Sequence, residues 1–159
     1  PVIAAVLAAR GVRALVVRGD DGLDELSTTT TSTVWDVTAD KVVKTTFDPN
    51  VLGLKSVSAS QLVGGDRVRN AALLRQTIGM DSIDAGDSSR ITAIQDVVSL
   101  NAAAALVAFD AVNALGLEGS VQERVAAKLP LVREVLASGA AAELLSRWIT
   151  LSQELSLKQ

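Results

Sequence analysis

Ala14-Leu15-Val16-Val17-Arg18-Gly19-Asp20-Asp21-Gly22-Leu23-Asp24-Glu25-Leu26 is the stretch on which the reading of this 159-residue chain turns. Its first four residues form an uninterrupted apolar run, the pattern of a central parallel strand covered on both faces. Four carboxylates follow within six residues, flanked and broken by Gly19 and Gly22. In open α/β sheets, ligands bind beyond the carboxyl ends of the strands, where this cluster falls. Carboxylates there suit a hard cation such as Mg²⁺, which takes one or two of them and completes its shell with water and phosphate oxygens. The same residues also read as a solvated turn in which Asp20 or Asp21 caps a short helix.

Outward from this stretch, residues 2–10 have the look of a helix stopped by Gly11. After the acidic loop, residues 27–33 are an extended segment of serine and threonine, expected as a threonine-rich edge strand whose hydroxyls could otherwise bind phosphate. Val34–Val37 and Lys41–Phe47 read as two strands of a hairpin joined at Thr38-Ala39-Asp40. The remainder is helix and loop. A helix over about 67–79 is N-capped by Asp66, residues 81–89 form a loop, and a long helix covers about 91–115. Ser120 and Glu123 have the spacing of a capping box for the next helix, which Pro130 should kink or restart. Ser138-Gly139 separates a last helix over about 140–155.

A parallel central strand needs parallel neighbours reached by crossovers of a dozen or more residues. Only one candidate exists here, so residues 1–159 are expected to be one C-terminal part of a larger α/β protein. The mass of 16.5 kDa fits a single domain.

Composition removes several chemistries. The chain has no cysteine and no histidine, which excludes thiolate sites, disulfides and any Ser-His-Asp triad. A net charge of −3 with 3% aromatics offers neither a phosphate-neutralising face nor a stacking platform, so no nucleic-acid partner is expected. The apolar stretches Pro1–Leu7 and Asn101–Phe109 are both short of a bilayer span, and a cytoplasmic protein without a membrane partner is expected.

Other polar residues stand out. Asn101 shares the apolar stripe of Ile94, Val97, Val98, Ala105 and Phe109, so its amide is expected to make a structural hydrogen bond to a neighbouring loop. Gly64-Gly65-Asp66 reads as a loop-to-helix junction, or as an anion-binding turn in which Asp66 would repel the anion. Arg18 offsets the acidic loop or faces an anionic substrate. Trp35 and Trp148 are expected as packing anchors.

Taken in order, these segments resemble the C-terminal part of the anthranilate phosphoribosyltransferases. The resemblance rests on Ala14 to Leu26, with Gly22-Leu23-Asp24-Glu25 its specific core, on Thr28 to Trp35, and on Phe47-Asp48-Pro49. Gly64-Gly65-Asp66 with Asn70-Ala71, then Leu100-Asn101-Ala102-Ala103-Ala104, then Ser138-Gly139-Ala140 continue it. The threonine run looks like actinobacterial versions. Most relatives carry histidine at the position of Arg18.

What this implies is the C-terminal portion of the nucleoside-phosphorylase/phosphoribosyltransferase α/β domain: one central parallel strand, a β-hairpin and several helices. It implies transfer of phosphoribosyl from phosphoribosyl pyrophosphate to anthranilate in tryptophan biosynthesis, with Asp24 and Glu25 holding Mg²⁺ against the pyrophosphate. The family's glycine-rich phosphate loop, its Lys-His-Gly-Asn segment and its anthranilate-associated arginine are not in these residues. Nor is the helical domain that carries the family's homodimer contact. The chain alone is therefore expected to be inactive, with association of fragments as a consequence. Two further readings are a pyrimidine nucleoside phosphorylase-like paralogue and a non-catalytic binding or assembly module.

Overall fold

In the computed structural model, residues 1–38 and 41–157 are described. The apolar run closes into strand β1 (Ala14–Gly19), preceded by helix α1 (Val2–Ala9) and followed, beyond the acidic loop, by strands β2 (Ser32–Thr38) and β3 (Lys41–Phe47). The sheet order is β1-β2-β3. The hairpin of β2 and β3 is present, with Thr38 opposite Lys41 at its tip. Ala39 and Asp40 of the expected turn lie outside the described residues.

The mixed α/β class, the hairpin and the helices stand as expected, but β1 pairs with β2 antiparallel, Val17 opposite Val34 and Leu15 opposite Asp36. The connection explains this pairing. Residues 20–31 contain no crossover helix, so the chain turns back beside the strand it has just left. Helices from two parts of the chain nevertheless pack against β1. Helix α1 packs against the strands, and α3 (Ser88–Val112) packs against β1 and against α4 (Val121–Ala137). Leu26, Val34, Phe47, Leu100, Ala103 and Val125 meet in the core, with Leu15 and Val17 packed against it. Helix α3 is long and apolar enough by composition to cross a bilayer, unlike the shorter run considered above. Its buried Leu100, Ala103 and Val107 belong to this core, which accounts for part of its apolar content.

Helix α2 (Arg67–Thr77) starts where expected, with the Asp66 carboxylate accepting the Arg69 N–H at 2.8 Å. The Ser120–Glu123 capping box opens α4. Pro130 does not restart that helix; it sits on the exposed side, where the carbonyl it leaves unbonded is free to bond water. Helix α5 (Ala140–Ser156) follows Gly139 and buries no residue. Trp148 on it is 69% exposed and is not the expected packing anchor, because α5 packs chiefly against α4 among the described residues. Nor do residues 27–31 form an edge strand; they stay in the loop, and β2, where the segment ends, is the central strand.

Candidate functional site

The loop after β1 uses its four carboxylates in two different ways. Asp20 and Asp21 turn inward to the hydroxyl-rich segment. The Thr31 hydroxyl donates to Asp20 Oδ2 at 2.5 Å and the Thr33 hydroxyl to Oδ1 at 3.3 Å. Asp21 Oδ2 accepts from Ser27 Oγ and Thr29 Oγ1, each at 2.5 Å. Its Oδ1 accepts the Leu23 N–H at 3.2 Å. Partial burial pushes the Asp21 carboxyl up, but the bonds from Ser27, Thr29 and Leu23 outweigh it and hold the group below its ordinary value. The threonine run is thus engaged by the chain's own aspartates. Neither aspartate caps a short helix, since residues 20–27 form turns and bends.

Glycine makes this folding-back possible. A Cβ on Gly19 would lie 2.3 Å from Asp21 Oδ1 and 3.3 Å from Ser27 Cβ, and Gly22 has φ of 98°. The Gly19 N–H donates to the Leu23 carbonyl at 2.8 Å, closing the turn.

The far side of the loop is held from α3. Asn101 Oδ1 accepts the Leu26 N–H at 2.9 Å, and Asn101 Nδ2 donates to the Leu26 carbonyl at 2.9 Å and to the Val97 carbonyl at 3.0 Å. The structural bond expected for this amide therefore reaches the acidic loop itself. Gln122 of α4 does the same for the residue after β3, accepting the Asp48 N–H at 3.0 Å and donating to its carbonyl at 2.8 Å.

Asp24 and Glu25 are what remain. Both are exposed and, among the described residues, neither joins an ion pair or a side-chain hydrogen bond. They face different depressions. Asp24 lines one of about 420 Å³ with Val2, Val16, Arg18 and Trp35. Glu25 lines one of about 320 Å³ with Gly64, Asn70, Leu73 and Val97. Leu23 lies on the rim common to both. No group of three or more acidic side chains capable of closing around a metal occurs among the described residues. Asp24 and Glu25 are each a free carboxylate of the kind that Mg²⁺ takes singly or in twos, keeping most of its shell for water and phosphate.

Arg18 is exposed on the wall it shares with Asp24 and, among the described residues, makes no ion pair. At the other depression, Asn70 folds back on the Gly64-Gly65-Asp66 junction, its Oδ1 accepting the Gly65 N–H at 2.8 Å. With that N–H and the Arg69 N–H both bonded internally, the junction has spent donors that an anion would need. Sequence reasoning missed the pairing of Asp20 and Asp21 with hydroxyls up to 13 residues away, and the only available signal was the clustering of threonines after the aspartates.

Comparison with known proteins bears on these residues. Residues 1–142 match the family described as glycosyl transferase family, a/b domain. A protein of Arthrobacter sp. (strain FB24) named anthranilate phosphoribosyltransferase is 45% identical over 153 residues, covering 96% of this chain and 40% of that protein. The crystal structure of anthranilate phosphoribosyltransferase from Thermus thermophilus superposes with a TM-score of 0.66 at 34% identity, over 93% of this chain and 38% of that one. A variant of the Saccharomyces cerevisiae enzyme with Mg bound gives a TM-score of 0.62 at 25% identity, over 92% and 37%. The chain thus spans about two fifths of the length of these relatives.

Proposed function

Because the chain belongs to the glycosyl transferase family through its a/b domain, we propose that it supplies the cation-holding part of an anthranilate phosphoribosyltransferase. The observation that carries this reading is the division of the acidic loop. Two of its carboxylates are bonded internally, and the adjacent Asp24-Glu25 pair is left free at the carboxyl end of β1. The reaction breaks the bond between ribose C1 and the pyrophosphate oxygen and forms one from C1 to the anthranilate nitrogen, which loses a proton. Asp24 and Glu25 would hold Mg²⁺, and the bound ion would supply positive charge to a pyrophosphate leaving group.

The chain's own residues set the conditions for that step. Asp20 and Asp21 keep two negative charges bonded to hydroxyls, so the loop presents its remaining charge at one doublet. Arg18, on the wall next to Asp24, offers a cation to a phosphate oxygen. The same reading makes residues 1–159 the C-terminal part of a phosphoribosyltransferase domain acting in the cytoplasm in tryptophan formation.

A chimera tests it: the aligned part of the Arthrobacter protein is replaced by this chain. The chimera is expected to consume anthranilate when given phosphoribosyl pyrophosphate and Mg²⁺, whereas the 159 residues alone give no turnover. Asp24→Asn with Glu25→Gln in the chimera should lower turnover roughly 100-fold or more and weaken its Mg²⁺ dependence. Kinetics identical to the parent chimera would remove the metal assignment.

A further inference from the structure

We infer that Asn101 is a positioning residue for the Asp24-Glu25 pair, its side-chain amide acting as a peptide-like clamp that fixes where the two carboxylates stand. The inference rests on the metal-holding role proposed above for that pair. Its basis is the way the loop is anchored on either side of the doublet. Leu23, immediately before it, is held by its carbonyl to the Gly19 N–H at 2.8 Å and by its N–H to Asp21 at 3.2 Å. Leu26, immediately after it, is held by both its N–H and its carbonyl to Asn101, each at 2.9 Å. Only two residues hang between these anchors, and they are the two free carboxylates.

The second anchor is stiff because of what stands behind it. Leu26 is fully buried, and so is Leu100, the neighbour of Asn101 on α3. The third bond of Asn101, from Nδ2 to the Val97 carbonyl one turn back, fixes the amide against its own helix. One carboxamide therefore links a loop to a helix 75 residues later in the chain. No other residue type of this size carries a donor and an acceptor in that arrangement. Aspartate would keep the acceptor for the Leu26 N–H, yet would set a second oxygen against the carbonyls of Leu26 and Val97. Ordering of carboxylates before a cation arrives spares the cation that cost, and partners behind metal ligands typically carry a roughly 10- to 100-fold effect on affinity.

The test uses the 159-residue chain with Mn²⁺ alone as probe, because carboxylates take Mn²⁺ as they take Mg²⁺ and its unpaired electrons broaden nearby amide NMR signals. In the unaltered chain, broadening should centre on Asp24 and Glu25. In Asn101→Asp, about ten times more Mn²⁺ should be needed for the same broadening, while the amide signals of β2 and α4 stay in place. Val132→Ala, which weakens the core from α4, should lower stability without moving the Mn²⁺ titration. Should Asn101→Asp fail to fold, Asn101→Gln carries the test, since it keeps donor and acceptor on a longer stem and should also shift the titration. A folded Asn101 variant that titrates like the unaltered chain overturns the clamp and leaves the metal reading intact. Broadening in the unaltered chain that avoids Asp24 and Glu25 overturns the metal reading, and the clamp with it.

Discussion

Four carboxylates of one loop have the same chemistry and different fates, decided by which hydroxyls and amides reach them. Asp21 is the clearest case, because the bonds from Ser27, Thr29 and Leu23 all favour its ionised form. Its folded-state value is lowered, so its contribution to stability is complete above the unfolded value of about 3.9 and is lost as pH falls through the folded one. Asp21→Asn should therefore destabilise the chain at pH 7 by about 1 kcal/mol, a figure kept low because the carboxylate is partly in water. Urea unfolding of both proteins at pH 7 and pH 3 checks this. The gap should narrow at the lower pH, and a gap that ignores pH would mean these bonds do not depend on the charge. Nothing in the spacing of Asp20, Asp21, Asp24 and Glu25 distinguishes the bonded pair from the free pair. The distinction comes from the loop folding back on itself, which Gly19 permits by lacking the Cβ that Asp21 would meet.

Between elements, the least expected contact joins β2 to α4. Arg124, 8% exposed, pairs with Asp36, which stands opposite Leu15 on the core side of the sheet. Its Nε has no partner, so the pair already bears an unmet desolvation cost. Asp36→Ala would leave the guanidinium buried without a counter-charge and should cost about 3 kcal/mol, whereas Asp36→Leu with Arg124→Met should recover most of that. Chemical denaturation of the three proteins decides between this and a pair of no consequence, for which the single and double variants would unfold alike. The sequence offered no hint of it, because a lone charge in a strand and another in a helix 88 residues later have no shared pattern. Features with a local cause were legible: the Asp66 cap, the Ser120–Glu123 box and the strands on either side of the hairpin. Asn101 was legible in part, since an amide on an apolar stripe must be bonded, but its partner had to be seen. Trp148 misled because a large aromatic signals burial only where another element arrives to cover it.

On the scale of the whole molecule, the run Ala14–Val17 shows how an apolar pattern encodes coverage and not direction. Helices α1 and α3 both pack against β1, which satisfies the pattern with an antiparallel neighbour. What the pattern leaves open is the other edge. Among the described residues β1 pairs with β2 alone, and Leu15, Val16 and Val17 are only half-buried. A strand with one free edge leaves alternate amides without a ladder partner, and those amides exchange with solvent quickly. The expectation of a central strand thus becomes a statement about a larger assembly: in the chimera with the Arthrobacter protein, a further strand should dock on that edge. Hydrogen exchange reads it directly. The β1 amides directed away from β2 should exchange freely in the 159-residue chain and slow by orders of magnitude in the chimera, while those directed toward β2 change little. Equal exchange in both proteins would leave β1 an edge strand in any context, and the acidic loop would then open at the margin of a sheet instead of over its middle. That position would also withdraw the crevice in which Asp24 and Glu25 are proposed to meet a phosphate, because ligand sites of this class form where strand ends from neighbouring units converge.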